Sequence, residues 1–165
     1  MQTVSCARPL AEPSAVQKLI QSLASLAFLA VFVVSGLDRR FGWSRLPELL
    51  ALGGDGLVLL GLFVVFKTFR ENTYTSALIE VAEGQRVTST GPYALVRHPM
   101  YAGALCMLLG VPPALGSLWA FFPVLALAAV IVVRLLDEER ILAASLPGYR
   151  SYRQSVKYRL IPGVW

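Results

Sequence analysis

Apolar residues do not alternate along this chain; they run. From Leu19 to Leu37 (LIQSLASLAFLAVFVVSGL) there is no charge, and from Leu49 to Phe66 only Asp55 interrupts. A third run starts at Tyr101 and reaches Leu115, bent near its end by Pro112 and Pro113, and a fourth covers Leu118 to Val133. A helix needs about 20 mostly apolar residues to cross the hydrocarbon core. The pattern therefore predicts an all-α, integral membrane bundle of about four transmembrane helices. The third run is short for a full span, so with the PPALGS turn it predicts a hairpin with the fourth, turning within or at the edge of the bilayer. Irregular backbone there needs protein or a watery cavity to satisfy it. The first run follows no Lys/Arg cluster and precedes no small-residue cleavage site, so it reads as a retained helix rather than a signal peptide. Residues 1–16 read as a polar leader and 17–165 as a single membrane domain.

Composition agrees with that reading. Of 165 residues, 56% are hydrophobic and 15% charged, more apolar than a water-soluble domain. All of the 15 Lys and Arg except Arg39, Arg40 and Arg45 fall on the face shared by the N-terminus, residues 67–100 and the tail. By the positive-inside rule that face, with both termini, is cytoplasmic. The net charge of +5 is then topology and attraction to membrane lipids, with no nucleic-acid partner implied. Cys6 and Cys106 lie at different depths and offer no disulfide framework, and a single histidine excludes most metal sites.

Polar chemistry gathers on the cytoplasmic side in three pieces. The first is GPYALVRHPMYAG, where Gly91-Pro92 signals a turn and Pro99 suits the first turn of the third helix, leaving His98 at its N-cap. Unsatisfied N–H groups and the helix dipole there favour an anion, and Arg97 and His98 add donors. The bland alternative is a juxtamembrane belt of tyrosine and arginine; the density of turn-formers, Gly91, Pro92, Pro99 and Gly103, argues for more. The second piece is Arg134-Leu-Leu-Asp137-Glu138-Glu139-Arg140, in which Arg134 and Glu138 share a helix face. Three adjacent carboxylates at a helix end call for a compensating cation, or else form a solvated cap. The third is the tail, PGYRSYRQSVKYRLIPGVW, whose tyrosines alternate with cations. It suits a cytoplasmic amphipathic helix that ends at Pro162 and serves as an anchor or a roof. Asp55, among Gly53, Gly54 and Gly56, reads as part of a helix–helix surface rather than a site.

LDRRFGWSRLP, TSTGPYALVRHPMYAG, the R-x-x-x-E-E of Arg134 to Glu139 and the tail together resemble the bacterial branch of the isoprenylcysteine carboxyl methyltransferase family, akin to the phospholipid methyltransferases. The resemblance runs from about residue 17 to the end. It implies an enzyme of the bacterial inner membrane that moves a methyl group from S-adenosylmethionine (SAM) to a lipidic or amphipathic acceptor, at a carboxylate or an amine. The cofactor pocket it implies is lined by Tyr93, Arg97, His98, Pro99, Met100, Tyr101, Glu138 and Glu139, with Arg134 toward the acceptor. Glu138 or Glu139 would pair with the SAM ammonium, and His98 with its carboxylate. Fuller members carry further N-terminal helices, so the acceptor is not carried over. Two other readings stay open: an NADPH-dependent membrane reductase of related architecture, and a non-catalytic membrane interaction protein.

Overall fold

The computed structural model describes residues 15–72 and 87–165; most of the polar leader lies outside the described residues. Five helices account for the described chain: α1 (Ala15–Phe41), α2 (Glu48–Glu71), α3 (Pro99–Ala114), α4 (Phe121–Ser145) and α5 (Tyr149–Ser155), with a 3-10 turn at Gly91–Ala94 before α3. No strand occurs among the described residues.

The helices lie side by side in the order α2, α3, α4, α1, each antiparallel to its neighbour. Gly54 and Gly61 of α2 meet Gly110 and Gly103 of α3. Tyr101 of α3 meets Leu135 of α4, and Val31 of α1 meets Val124 and Leu127 of α4. The α2–α3 seam is closest because it has no side chains at its crossing points. A Cβ on Gly61 would stand 2.5 Å from the Gly103 carbonyl, and one on Gly110 2.6 Å from the Gly54 carbonyl. Small residues of this kind let two backbones touch where apolar burial gives no advantage over lipid. The helix–helix surface expected at Gly53, Gly54 and Gly56 is thus narrower. Gly54 alone carries it, Gly53 and Gly56 face open space, and Asp55 is exposed.

α1 and α2 are long and apolar enough to cross a membrane, and only 11% of the apolar stretch of each is buried within the fold. A soluble core helix would be mostly covered; these present Leu and Phe outward, as a helix facing hydrocarbon does. α3 has 16 residues, about 24 Å at about 1.5 Å per residue, less than the roughly 30 Å core. It forms the expected hairpin with α4 through residues 115–120, and both prolines stay inside its last turn rather than ending it. The Pro112 and Pro113 carbonyls accept the Ser117 and Gly116 N–H groups, which satisfies the turn.

The tail differs from expectation. Its helix is the seven-residue α5, and beyond Ser155 the chain is non-helical and closes in a turn, where the Trp165 carbonyl accepts the Arg159, Leu160 and Ile161 N–H groups. Local Tyr/Arg periodicity loses here to long-range partners described below.

At the opposite end, Asp38 clasps the two interhelical turns. Fully buried, it accepts the Ser44 N–H at 2.6 Å, the Ser44 hydroxyl at 2.7 Å and the Ser117 hydroxyl at 2.5 Å. Asp38→Ala would strand these donors, at about 1–3 kcal/mol for a buried unsatisfied group. Thermal unfolding in detergent should show a lowered midpoint for Asp38→Ala and less of a drop for Asp38→Asn; an unchanged midpoint in both would refute the clasp.

Candidate functional site

The site grows from the start of α3. Proline at 99 disfavours helical backbone in the residue before it, and His98 accordingly sits at the N-cap with φ −127° and ψ 64°. The backbone of the non-helical Arg97-His98 pair is free to bond elsewhere. Its N–H groups donate to the Tyr158 and Arg159 carbonyls at 2.9 and 3.0 Å, and so lay the tail alongside. The preceding turn is tied to α2. Glu71 accepts the Thr90 hydroxyl, under Gly91, whose φ of +56° suits glycine.

Glu139 is the centre. It is 4% exposed, and its oxygens are taken separately: Oε1 by Arg97 Nε at 2.7 Å and Oε2 by Arg159 Nε at 2.9 Å. Arg97, 7% exposed, also donates through its terminal nitrogen to the Val156 and Lys157 carbonyls at 3.0 and 2.9 Å. One buried carboxylate and two arginines therefore join α3, α4 and the tail. Burial opposes the charge on Glu139, but the facing His98, Arg159 and Arg97 outweigh it and hold the carboxyl down to about 2.

Arg97 and Glu139, both expected to line the cofactor pocket, bond to each other and to the tail in this structure. Glu138 differs: Oε2 accepts the Tyr101 hydroxyl at 2.7 Å, and the group is half-buried. Arg134 reaches Gln21 Oε1 at 3.5 Å and the Tyr101 hydroxyl, so it stands in the same corner. The outer carboxylate, Asp137, makes an exposed local pair with Arg140, as a solvated cap would.

Tyr93 lies in an adjoining aromatic cluster, packed against Leu146, Tyr149, Tyr152 and Val156. Its carbonyl accepts the Tyr152 hydroxyl at 2.7 Å, and its own hydroxyl accepts from Asn72 at 3.1 Å. Met100 packs on Tyr101, Leu135 and Leu160, and Pro99 is buried beneath them. Burial pushes the Tyr149 and Tyr152 hydroxyls up, so both stay neutral donors.

Two buried polar atoms in this corner have no hydrogen-bond partner among the described residues: His98 Nε2 and Tyr149 Oη. His98 Nε2 faces Glu139 Oε1 at 3.5 Å, a distance of charge contact rather than of a well-formed hydrogen bond.

The sequence places Arg159 and Tyr149 in a tail that anchors or roofs the site, without singling either out. A signal existed for the first. Glu139 has no cation three or four residues away on its own helix, its neighbours there being Leu135, Leu136, Leu142 and Ala143. A buried carboxylate so placed must find its counter-charge on another element.

Residues 49–146 match the phospholipid methyltransferase family. A Delta(14)-sterol reductase of the mouse (Mus musculus) is 34% identical over 106 residues, covering 59% of this chain and 25% of that protein. This chain therefore spans about a quarter of the relative's length. The family match runs from the first turn of α2 to the end of α4 and takes in Tyr93, Arg97, His98, Tyr101, Arg134, Glu138 and Glu139. Covering more than half of the 165 residues, it establishes that this chain belongs to the phospholipid methyltransferase family.

Proposed function

We propose that this protein is a SAM-dependent methyltransferase of the membrane, of the bacterial isoprenylcysteine carboxyl methyltransferase type, acting on a lipidic or amphipathic acceptor. The family match across the whole Tyr93–Glu139 corner carries the reading. In this reading all four long helices span or enter the bilayer. The Arg97–Glu139 corner and both termini face the cytoplasm, in keeping with the bias of Lys and Arg.

The donor set fits SAM. Its carboxylate needs buried donors, and the two unpartnered atoms are His98 Nε2 and Tyr149 Oη. Its ammonium needs an acceptor, and Glu138 has one oxygen beyond the one bonded to Tyr101. When bound, SAM supplies a methyl group on a sulfonium, and the Tyr101 ring beside Glu138 offers a face to that cation. Glu139, locked between two arginines, positions this set rather than touching the cofactor. The tail strap and the Leu146/Tyr149/Tyr152/Val156 cluster exclude water, and Arg134 would hold an acidic acceptor. Orientation of this kind lowers barriers by as much as ~7–11 kcal/mol in favourable cases.

Labelled SAM and NADPH, each titrated against the protein in detergent, test the reading. SAM should bind, and His98→Ala and Tyr149→Phe should each weaken it by roughly tenfold or more, the value of a hydrogen bond to a charged group. The likeness to a sterol reductase supports the second reading, an NADPH-dependent reductase, and binding of NADPH alone would select it. Equal SAM affinity in parent and variants would overturn the site assignment, and binding of neither cofactor would favour a non-catalytic interaction protein.

A further inference from the structure

A groove of about 540 Å³ lies between the last turns of α2, the Gly91–Ala94 turn, the start of α3 and the tail. That is within the roughly 300–1,000 Å³ of sites that hold small molecules. His98, Tyr101, Glu138 and Tyr149 are absent from its walls. Its floor is apolar, with Phe63, Val64, Leu95 and Leu160, and its rim carries Lys67 and Arg70.

The two cations are held by aromatic faces rather than by a carboxylate among the described residues. Neither makes an ion pair among the described residues; Lys67 rests 5.9 Å from the Phe63 ring centroid and Arg70 5.8 Å from that of Phe66. Glu71, the acid at the same rim, is engaged by the Thr90 hydroxyl. Both cations stand at the end of the apolar stretch of α2, where long basic side chains reach out of hydrocarbon to the headgroup layer. A free anion would satisfy only the rim, and a neutral amphiphile only the floor. Both together select an amphiphile with a negative headgroup.

We infer that this groove is a binding site for an anionic phospholipid, whose phosphate lies between Lys67 and Arg70 and whose acyl chain covers Phe63, Val64 and Leu95. The inference concerns retention of a lipid and stands whether or not the protein transfers methyl groups. It bears on the site through the tail. Leu160 and Pro162 form one wall of the groove, and Arg159, next in the chain, holds Glu139. A lipid in place braces the strap that closes the corner.

Native mass spectrometry of the full chain in mixed micelles tests this, comparing retention of dioleoylphosphatidylglycerol with that of dioleoylphosphatidylcholine. The parent should retain phosphatidylglycerol with roughly tenfold preference, consistent with two basic groups at a membrane surface. Lys67→Gln with Arg70→Gln should bring the ratio near one. Arg39→Gln with Arg40→Gln, which removes the same charge at the other end of the bundle, should leave it intact. Leu95→Asn, at an exposed position that folding does not require, should weaken retention of both lipids alike. Equal loss in both charge pairs, or loss in neither, would overturn the site as diffuse attraction. Unchanged retention in Leu95→Asn would overturn the groove. Millimolar inorganic phosphate should not displace the lipid, and displacement would show an anion site without a lipid one.

Discussion

Glu139→Ala should destabilise the protein by about 3–5 kcal/mol, the usual consequence of leaving a buried charge unpaired. The loss is large because Arg97, 7% exposed, would remain with only the Val156 and Lys157 carbonyls. The tail would loosen with it, since Arg159 reaches the bundle through Glu139. Arg159→Gln should have a smaller effect, its side chain being 26% exposed and able to find water. Hydrogen exchange at the Tyr158–Leu160 amides and thermal unfolding in detergent measure both consequences. The acid response carries the same signature. The Glu139 carboxyl, held down from 4.5 to about 2, contributes stability that is complete above 4.5 and lost as pH falls toward about 2. The parent's midpoint should therefore drop across that window by more than that of Glu139→Ala. Parallel acid profiles in the two proteins would refute the pairing.

How much of this was legible before the structure depends on the range of each interaction. The apolar run from Leu49 to Phe66 marks α2, which continues to Glu71 because Lys67, Phe69, Arg70 and Glu71 are tolerable helix residues with no breaker among them. His98 at the start of α3 follows from one local rule about proline. The early end of the tail helix does not. Tyr149, Tyr152, Arg150 and Arg153 carry a helical pattern, and the helix stops at Ser155 because Arg97, some 60 residues earlier in sequence, takes the Val156 and Lys157 carbonyls. Likewise, the sequence marks Arg97 and Glu139 as residues that line a cofactor pocket. Only packing shows that each answers the other and that Arg159 completes the set. The sequence alone also left Glu138 and Glu139 interchangeable. Burial separates them, one locked between cations and the other half-buried with an oxygen to spare.

Gly61→Leu should part α2 from α3, an effect that substitution at Gly53 or Gly56 will not reproduce. The Cβ would meet the Met107 backbone and, at 2.5 Å, the Gly103 carbonyl. Neither can step aside as a flexible side chain can, so the helices must separate. Overpacking typically costs about 1–3 kcal/mol, and here it acts at the closest seam in the bundle. Gly53→Leu and Gly56→Leu are the internal controls, since their Cβ positions have nothing within 4 Å and leucine is the better helix former. Cys106 reports the result: its thiol lies 3.4 Å from the Leu57 carbonyl across the seam. In a Cys6→Ser background, thiol labelling of Cys106 should accelerate in Gly61→Leu and stay at the parent rate in both controls. The consequence reaches the site because α3 begins at Pro99, and a displaced α3 carries His98 away from Glu139 and the tail. SAM affinity should therefore fall in Gly61→Leu with no site residue touched. Faster labelling with undiminished SAM binding would show that the α2–α3 seam supports the bundle without positioning the corner.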